Sequence, residues 1–279
     1  VKIIKPKRSL LELNLKKIWE YRDLLRMLVF RDFVTYYKQT ILGPLWFFIQ
    51  PLFTSIIFTL VFNNLGNIQT GGIPPMLFNL AGITAWNYFR ECLNNTSNTF
   101  SRNQNLFGKV YFPRVITPLS ITVSNLMKFG IQLLIFFFFF AYYSYQGFEL
   151  SVNLNLLLFP VYIAIMAMFA LGLGMVFSAL TTKYRDLNVF IGFATNLLMY
   201  ISAVPYPVSE AVDKLPPSLA NLVTYNPMTQ IIEGFRYMLL DTGTFTWSGF
   251  FYTLFVSVVL FLIGLVIFNR TEKSFIDTV

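Results

Sequence analysis

The sequence has no histidine, only one cysteine (Cys92), and few charges for its length. Without histidine there is no imidazole to act as general base, metal ligand or member of a Ser-His-Asp triad. One cysteine excludes an internal disulfide and a thiolate metal cage. No Gly-x-x-x-x-Gly-Lys-Ser/Thr occurs, so the chain has no loop of its own to cradle ATP phosphates. Gly-x-Ser-x-Gly and His-Glu-x-x-His are also missing, which leaves lipase or protease chemistry unsupported. The chain is therefore read as a non-enzyme that binds no metal or cofactor itself. Charged residues are 12% of the 279, about half the share of an ordinary soluble domain.

What is present is apolar. Hydrophobic residues make up 56% of the chain and mean hydropathy is +0.60. Several apolar runs approach the ~20 residues that a helix needs to cross a ~30 Å hydrocarbon layer. These runs predict an all-α integral membrane protein with six transmembrane helices: 41–62, 76–96, 118–143, 154–180, 189–204 and 247–268. The basic N-terminal stretch lacks a long apolar core, so no cleaved signal peptide is expected. The net charge of +8 does not point to nucleic acid, because topology accounts for where the cations lie. Lys and Arg concentrate in the N-terminus, the 97–117 loop, the 181–188 loop and the tail. The alternate loops hold only Lys214 and Arg236. By the positive-inside rule, both termini are expected in the cytoplasm.

Before the first span, Leu11, Leu15, Ile18, Leu25, Leu28 and Val29 recur at helical spacing among basic residues. Residues 1–38 thus read as a tail and a basic amphipathic helix in the headgroup plane, with Trp19 and Tyr21 suited to that depth. Arg31, Asp32 and Lys38 end this segment, and Gly43-Pro44 opens the first span, where a missing N–H is tolerated. Glu91 and Lys128 fall at comparable depth in antiparallel spans two and three. An intramembrane charge pair explains them more simply than a transport role. Residues 205–246 are too long for a mere connector. Asn226-Pro227 has the pattern of a capped helix start, and a helix to Leu240 is about 21 Å long, too short to cross. That stretch is either a re-entrant outer hairpin or a folded surface loop.

Aromatic residues are 18% of the chain. Phe136–Phe140 would surround its helix and marks packing or lipid contact. In span one Trp46, Gln50 and Phe53 share a face, as do Phe193, Asn196 and Tyr200 in span five. Rings interleaved with amides suit a path for sugars, whose C–H faces pack on rings while hydroxyls seek hydrogen bonds. With 32 phenylalanines, coincidence is the competing explanation. Ala170-Leu-Gly-Leu-Gly174 has the spacing of close helix packing.

Arg31-Asp32, then Tyr37-Lys38-Gln39-Thr40-Ile41-Leu42-Gly43-Pro44-Leu45-Trp46 and Pro51, resemble the membrane subunits of ABC exporters for lipid-linked polysaccharides: O-antigen, capsule-type and teichoic acid permeases. Phe112-Pro113-Arg114 with Pro118, Tyr184-Arg185-Asp186 and Asn226-Pro227 agree in order, so the resemblance spans essentially the whole chain. It implies a homodimer with two copies of a separate ATPase, which would hold ATP and magnesium, and an undecaprenyl-linked polysaccharide as substrate. Residues up to Lys38 would form an interface helix, with Gly43 and Pro44 as the joint to span one. Gly108, Lys109, Phe112, Pro113 and Arg114 in the 97–117 segment would couple to the ATPase. Asn226, Pro227 and Arg236 would belong to an outer gate, and the ring-bearing faces of spans one and five would line the path. A related permease for a small hydrophobic drug or lipid is the alternative, with a narrower and less polar path.

Overall fold

The computed structural model describes residues 15–38, 40–148 and 154–276. The basic stretch 1–9, the start of the amphipathic segment at Leu10 and Leu11, Gln39 and the end of the Ser144–Asn153 loop lie outside the described residues. Every regular element among those described is helical. In order they are α1 (Leu15–Glu20), α2 (Arg22–Tyr37), α3 (Trp46–Phe58), α4 (Pro75–Ser97), α5 (Thr99–Arg102), α6 (Gln104–Lys109) and α7 (Ile116–Tyr145). They continue with α8 (Phe159–Lys183), α9 (Leu187–Ile201), α10 (Val208–Lys214), α11 (Pro217–Thr224), α12 (Pro227–Leu240) and α13 (Trp247–Ile276).

Four helical stretches are long and apolar enough to cross a membrane: Gly43–Leu65, Ile116–Tyr145, Asn155–Lys183 and Trp247–Glu272. The first is composite. A 3-10 turn at Gly43–Leu45 leads into α3, and a π-helical stretch, Thr59–Leu65, follows it. Pro51 lies inside α3, where it withholds an N–H from the helix ladder. α4 is as long as Gly43–Leu65, 23 residues, but much more polar. Its polarity is tolerated because protein covers it: α3, α7, α8, α9 and α12 pack around it, and most of its side chains are buried. Asn79, fully buried, donates to Thr59 Oγ1 at 3.1 Å and Asn63 Oδ1 at 2.9 Å. α9 has 15 mostly apolar residues, about 22 Å of helix. It stops at Ile201 because Ala203 adopts a left-handed conformation (φ 51°) and Pro205 follows.

The core is built on α4, α8, α12 and α13, and α2 lies along α7 with Leu28 buried and Phe33 stacked on Phe47. In the phenylalanine run of α7, Phe136 is fully buried while Phe137 and Phe138 are exposed, so it packs and faces outward at once. α8 and α13 approach so closely at Gly172 and Gly264 that side chains are excluded. A Cβ on Gly172 would lie 2.7 Å from the Leu260 backbone, and one on Gly264 would meet the Gly172 carbonyl. Gly264→Leu is expected to force the two helices apart at a cost of about 1–3 kcal/mol, read as a lower apparent melting temperature of the detergent-solubilised protein. Gly130→Ala, inside α7 where an added Cβ meets nothing within 4 Å, should instead raise that temperature slightly, since alanine favours a helix interior by about 0.5–1 kcal/mol.

Candidate functional site

The ring–amide faces identified in the sequence are both turned outward. Trp46, Gln50 and Phe53 are exposed on α3, and Phe193, Asn196 and Tyr200 are exposed on α9. The helix pattern explains the second set, since α9 buries only Ile191 and Thr195, on its other side. The two helices flank α4, and the Phe62 ring, on the π-helical stretch after α3, lies 6.4 Å from the Tyr200 ring of α9. Both faces thus present rings and amides on the outside of the bundle.

At the end of the bundle that carries α5 and α6, polar side chains gather between α2, α4 and α7. Lys128 Nζ lies 3.7 Å from Glu91 Oε2, and the lysine is buried while the carboxylate is partly exposed. Asn95 donates to the same Glu91 oxygen at 3.3 Å and accepts from Arg102 Nη1 at 3.0 Å. Arg31 and Asp32, neighbours on α2, pair at 2.7 Å, and Ser120 on α7 donates to Asp32 Oδ2 at 3.4 Å. Lys38 is exposed just beyond α2. Gly43 has φ 52°, a left-handed turn between α2 and α3, and Pro44 follows it in the 3-10 turn.

The 97–117 segment folds into α5, α6 and a short irregular stretch. Gly108 and Lys109 are exposed at the end of α6, with Val110 and Tyr111 exposed beside them. Phe112 and Arg114 point inward instead, and Pro113 is half-buried. Arg114 donates to the Glu272 carbonyl at 3.1 Å, and its guanidinium sits 5.1 Å from the centre of the Phe107 ring. Burial lowers the Arg114 pKa from its ordinary value, and the nearby Glu272 carboxylate acts in the opposite direction. Arginine stays charged under either influence. Arg114 thus anchors the segment to α13 while Phe112 packs against the Phe107 ring, and Gly108 and Lys109 are the part it presents.

The opposite end is organised by α12. Asn226 caps it, accepting the Met228 N–H at 2.9 Å with Pro227 as the first helical residue, and donates to Ser202 Oγ at 3.0 Å. Two turns on, Arg236 is fully buried and pairs with Glu233 Oε1 at 2.9 Å. Its guanidinium also donates to the carbonyls of Ala203 (2.9 Å), Val204 (2.5 Å) and Tyr206 (3.4 Å), and lies 3.7 Å over the Phe78 ring. Glu233 Oε2 accepts the Thr244 N–H at 3.2 Å. These carbonyls belong to the irregular chain after α9, which has no helix of its own to satisfy them. Gly82 on α4 makes room, since a Cβ there would be 2.5 Å from Arg236 Nη2.

Sequence reading singled out Arg236 but not Glu233, Phe78 or Gly82. The Glu-x-x-Arg spacing within α12 was the available signal for Glu233; nothing local marks the other two, which arrive from α4. Arg102 was likewise counted only as a loop cation. Asn226 and Arg236 converge on the same irregular stretch, from Ser202 to Tyr206.

Similarity to known proteins extends along nearly the whole chain. A family model described as ABC-2 type transporter matches residues 23–240. The O-antigen export system permease protein RfbA of Klebsiella pneumoniae is 28% identical over 257 residues, covering 91% of this chain and 94% of the relative. RfbA of Myxococcus xanthus is 26% identical over 264 residues, with 95% and 98% covered. The capsule polysaccharide export inner-membrane protein CtrC of Neisseria meningitidis serogroup A is 23% identical over 255 residues, with 88% and 90% covered.

Arg236→Met is expected to leave the Glu233 carboxylate and three backbone carbonyls without their buried donor. A loss of about 3–5 kcal/mol follows from breaking one side of a buried pair, read by thermal unfolding of the purified protein. Adding Glu233→Leu should recover only part of the loss, because the carbonyls of Ala203, Val204 and Tyr206 still lack a donor. Full recovery would show that the ion pair, and not the carbonyl contacts, carries the stability.

Proposed function

The chain belongs to the ABC-2 type transporter family, and from that premise we propose that it is the permease subunit exporting a lipid-linked polysaccharide of the O-antigen or capsule class across the cytoplasmic membrane. The observation that carries this reading is the near full-length similarity to polysaccharide export permeases. It favours that substrate class over a small hydrophobic drug or lipid. The exposed rings and amides of α3 and α9 fit it physically. A long polymer has to be held weakly at many places in order to slide, and a ring-bearing wall does this better than a deep charged pocket.

In this reading two copies of the chain pair, and Trp46, Gln50, Phe53, Phe193, Asn196 and Tyr200 line a path between them. Two copies of a separate ATPase bind ATP and magnesium. Six segments of each subunit cross the membrane, with α4 and α9 joining the four long apolar helices. α4 can do so because its polar groups are covered by protein, and α9 because the irregular chain to Tyr206 extends it. Both termini lie in the cytoplasm, as the distribution of Lys and Arg implies. The stretch from α10 to α12 forms a re-entrant outer gate, a role supported by the burial of α12 against α4, α8 and α13. Irregular backbone at that depth requires internal hydrogen-bond donors, which Arg236 supplies to the carbonyls of Ala203, Val204 and Tyr206.

Force from the ATPase would enter at Gly108 and Lys109 and along α2, and rigid-body movement of packed helices would open the path. Depletion of the protein is expected to lower surface glycan and to accumulate undecaprenyl-linked glycan inside the cell. Normal surface glycan after depletion would refute the reading. Gly43 is the joint between α2 and α3. A leucine there is held at a left-handed φ, a strain of about 1–2 kcal/mol, so Gly43→Leu should reduce export while co-purification with the ATPase is unchanged. Export at the normal rate would reduce Gly43 to a helix start.

A further inference from the structure

A cavity of about 650 Å³ opens between α2, the C-terminal part of α4, α5 and the first half of α7. Arg31, Arg102 and Lys128 line it, against a single lining carboxylate among the described residues, Asp32. Even with Glu91 added, which contacts Lys128 at 3.7 Å, cations outnumber carboxylates. The contacts within the protein do not exhaust the donors of the two arginines. Arg31 directs Nε and Nη2 to Asp32 Oδ1, and Arg102 directs Nη1 to Asn95 Oδ1. A guanidinium has five N–H groups, so both arginines keep donors beyond these contacts. Thr117 lines the same cavity, is fully buried, and its hydroxyl finds no hydrogen-bond partner among the described residues.

We propose that this cavity binds a diphosphate-class anion, held between the guanidinium groups of Arg31 and Arg102 with Lys128 at its base. Planar guanidinium forks match pairs of phosphate oxygens, and a buried ammonium adds a point charge. Three elements supply the cations: α2, α5 and α7. A bound anion therefore ties α2 to the segment that leads directly into α6. The site gives the chain a way to sense the charged end of its substrate and pass that occupancy to the surface presented at Gly108 and Lys109. The identification of the anion as a lipid headgroup rests on the export reading and its orientation. The anion chemistry of the cavity does not.

The test uses the full-length chain with its ATPase in lipid nanodiscs and three probes: undecaprenyl diphosphate, undecaprenol and inorganic diphosphate. Undecaprenyl diphosphate is expected to bind at least about tenfold more tightly than the alcohol, the size of effect that charge-assisted hydrogen bonds give. Arg31→Gln and Arg102→Gln should each remove about tenfold of that preference, and Arg102→Lys less. Thermal unfolding of each variant separates loss of binding from loss of fold, and the lysine variant keeps the charge if the glutamine variant unfolds. Inorganic diphosphate competing as strongly as the lipid assigns the site to a soluble phosphate, and weaker competition assigns it to a headgroup. Equal binding of diphosphate and alcohol, or a preference unchanged in both folded glutamine variants, overturns the site. Export is not read in this assay, so a failed site leaves the export reading to stand or fall on depletion alone.

Discussion

A chain in a bilayer has to satisfy its polar groups from within, because hydrocarbon offers no hydrogen bonds. In this protein that requirement converges on α4 and on the buried guanidinium of Arg236 above it. α4 carries amides, hydroxyls and charges that would disfavour a lipid-facing helix, and it is covered instead by five other helices. Asn79 reaches back to Thr59 and Asn63, while Glu91 and Asn95 reach Lys128 and Arg102. Arg236 then takes up the carbonyls left when α9 stops. The position of α12 follows from that bond set, since moving it would strand those carbonyls.

With polarity gathered inside, the apolar side chains are free to face outward. The chain therefore shows its rings on α3, α9 and α13 and hides much of its hydrogen-bonding chemistry. In the proposed reading these rings, with occasional amides, would give a hydrated polymer many weak contacts and no deep well. The deeper electrostatics are confined to the two ends of the bundle: a buried arginine against the irregular chain after α9 at one, and a cation-lined cavity at the other.

Those ends are mechanically connected. α8 and α13 touch through glycine backbones, and Arg114 ties the 97–117 segment to the end of α13. Close-packed helices move as rigid bodies rather than deforming. A displacement at α6 therefore passes to α13 and α8, and through them to α12, which packs against both. In the proposed reading this would carry work from one face of the membrane to the other without a charged relay through the middle.

Much of this could be read from the chain alone. Long apolar runs announce helices of membrane length, since only about 20 such residues span the hydrocarbon. Asn226-Pro227 announces a helix start because capping and the proline ring are local effects. Helical spacing placed Phe193, Asn196 and Tyr200 on one face of α9, and Glu91 level with Lys128. Tertiary structure decided what depends on contacts between distant segments. It showed that Phe112 and Arg114 turn inward while Lys109 is presented, that α9 ends early, and that Gly82 and Phe78 make room for Arg236. It also brought Arg31, Arg102 and Lys128 to one cavity. Periodicity specifies which face of a helix a residue occupies, but not which helix it will meet, because that is set by packing across the whole bundle.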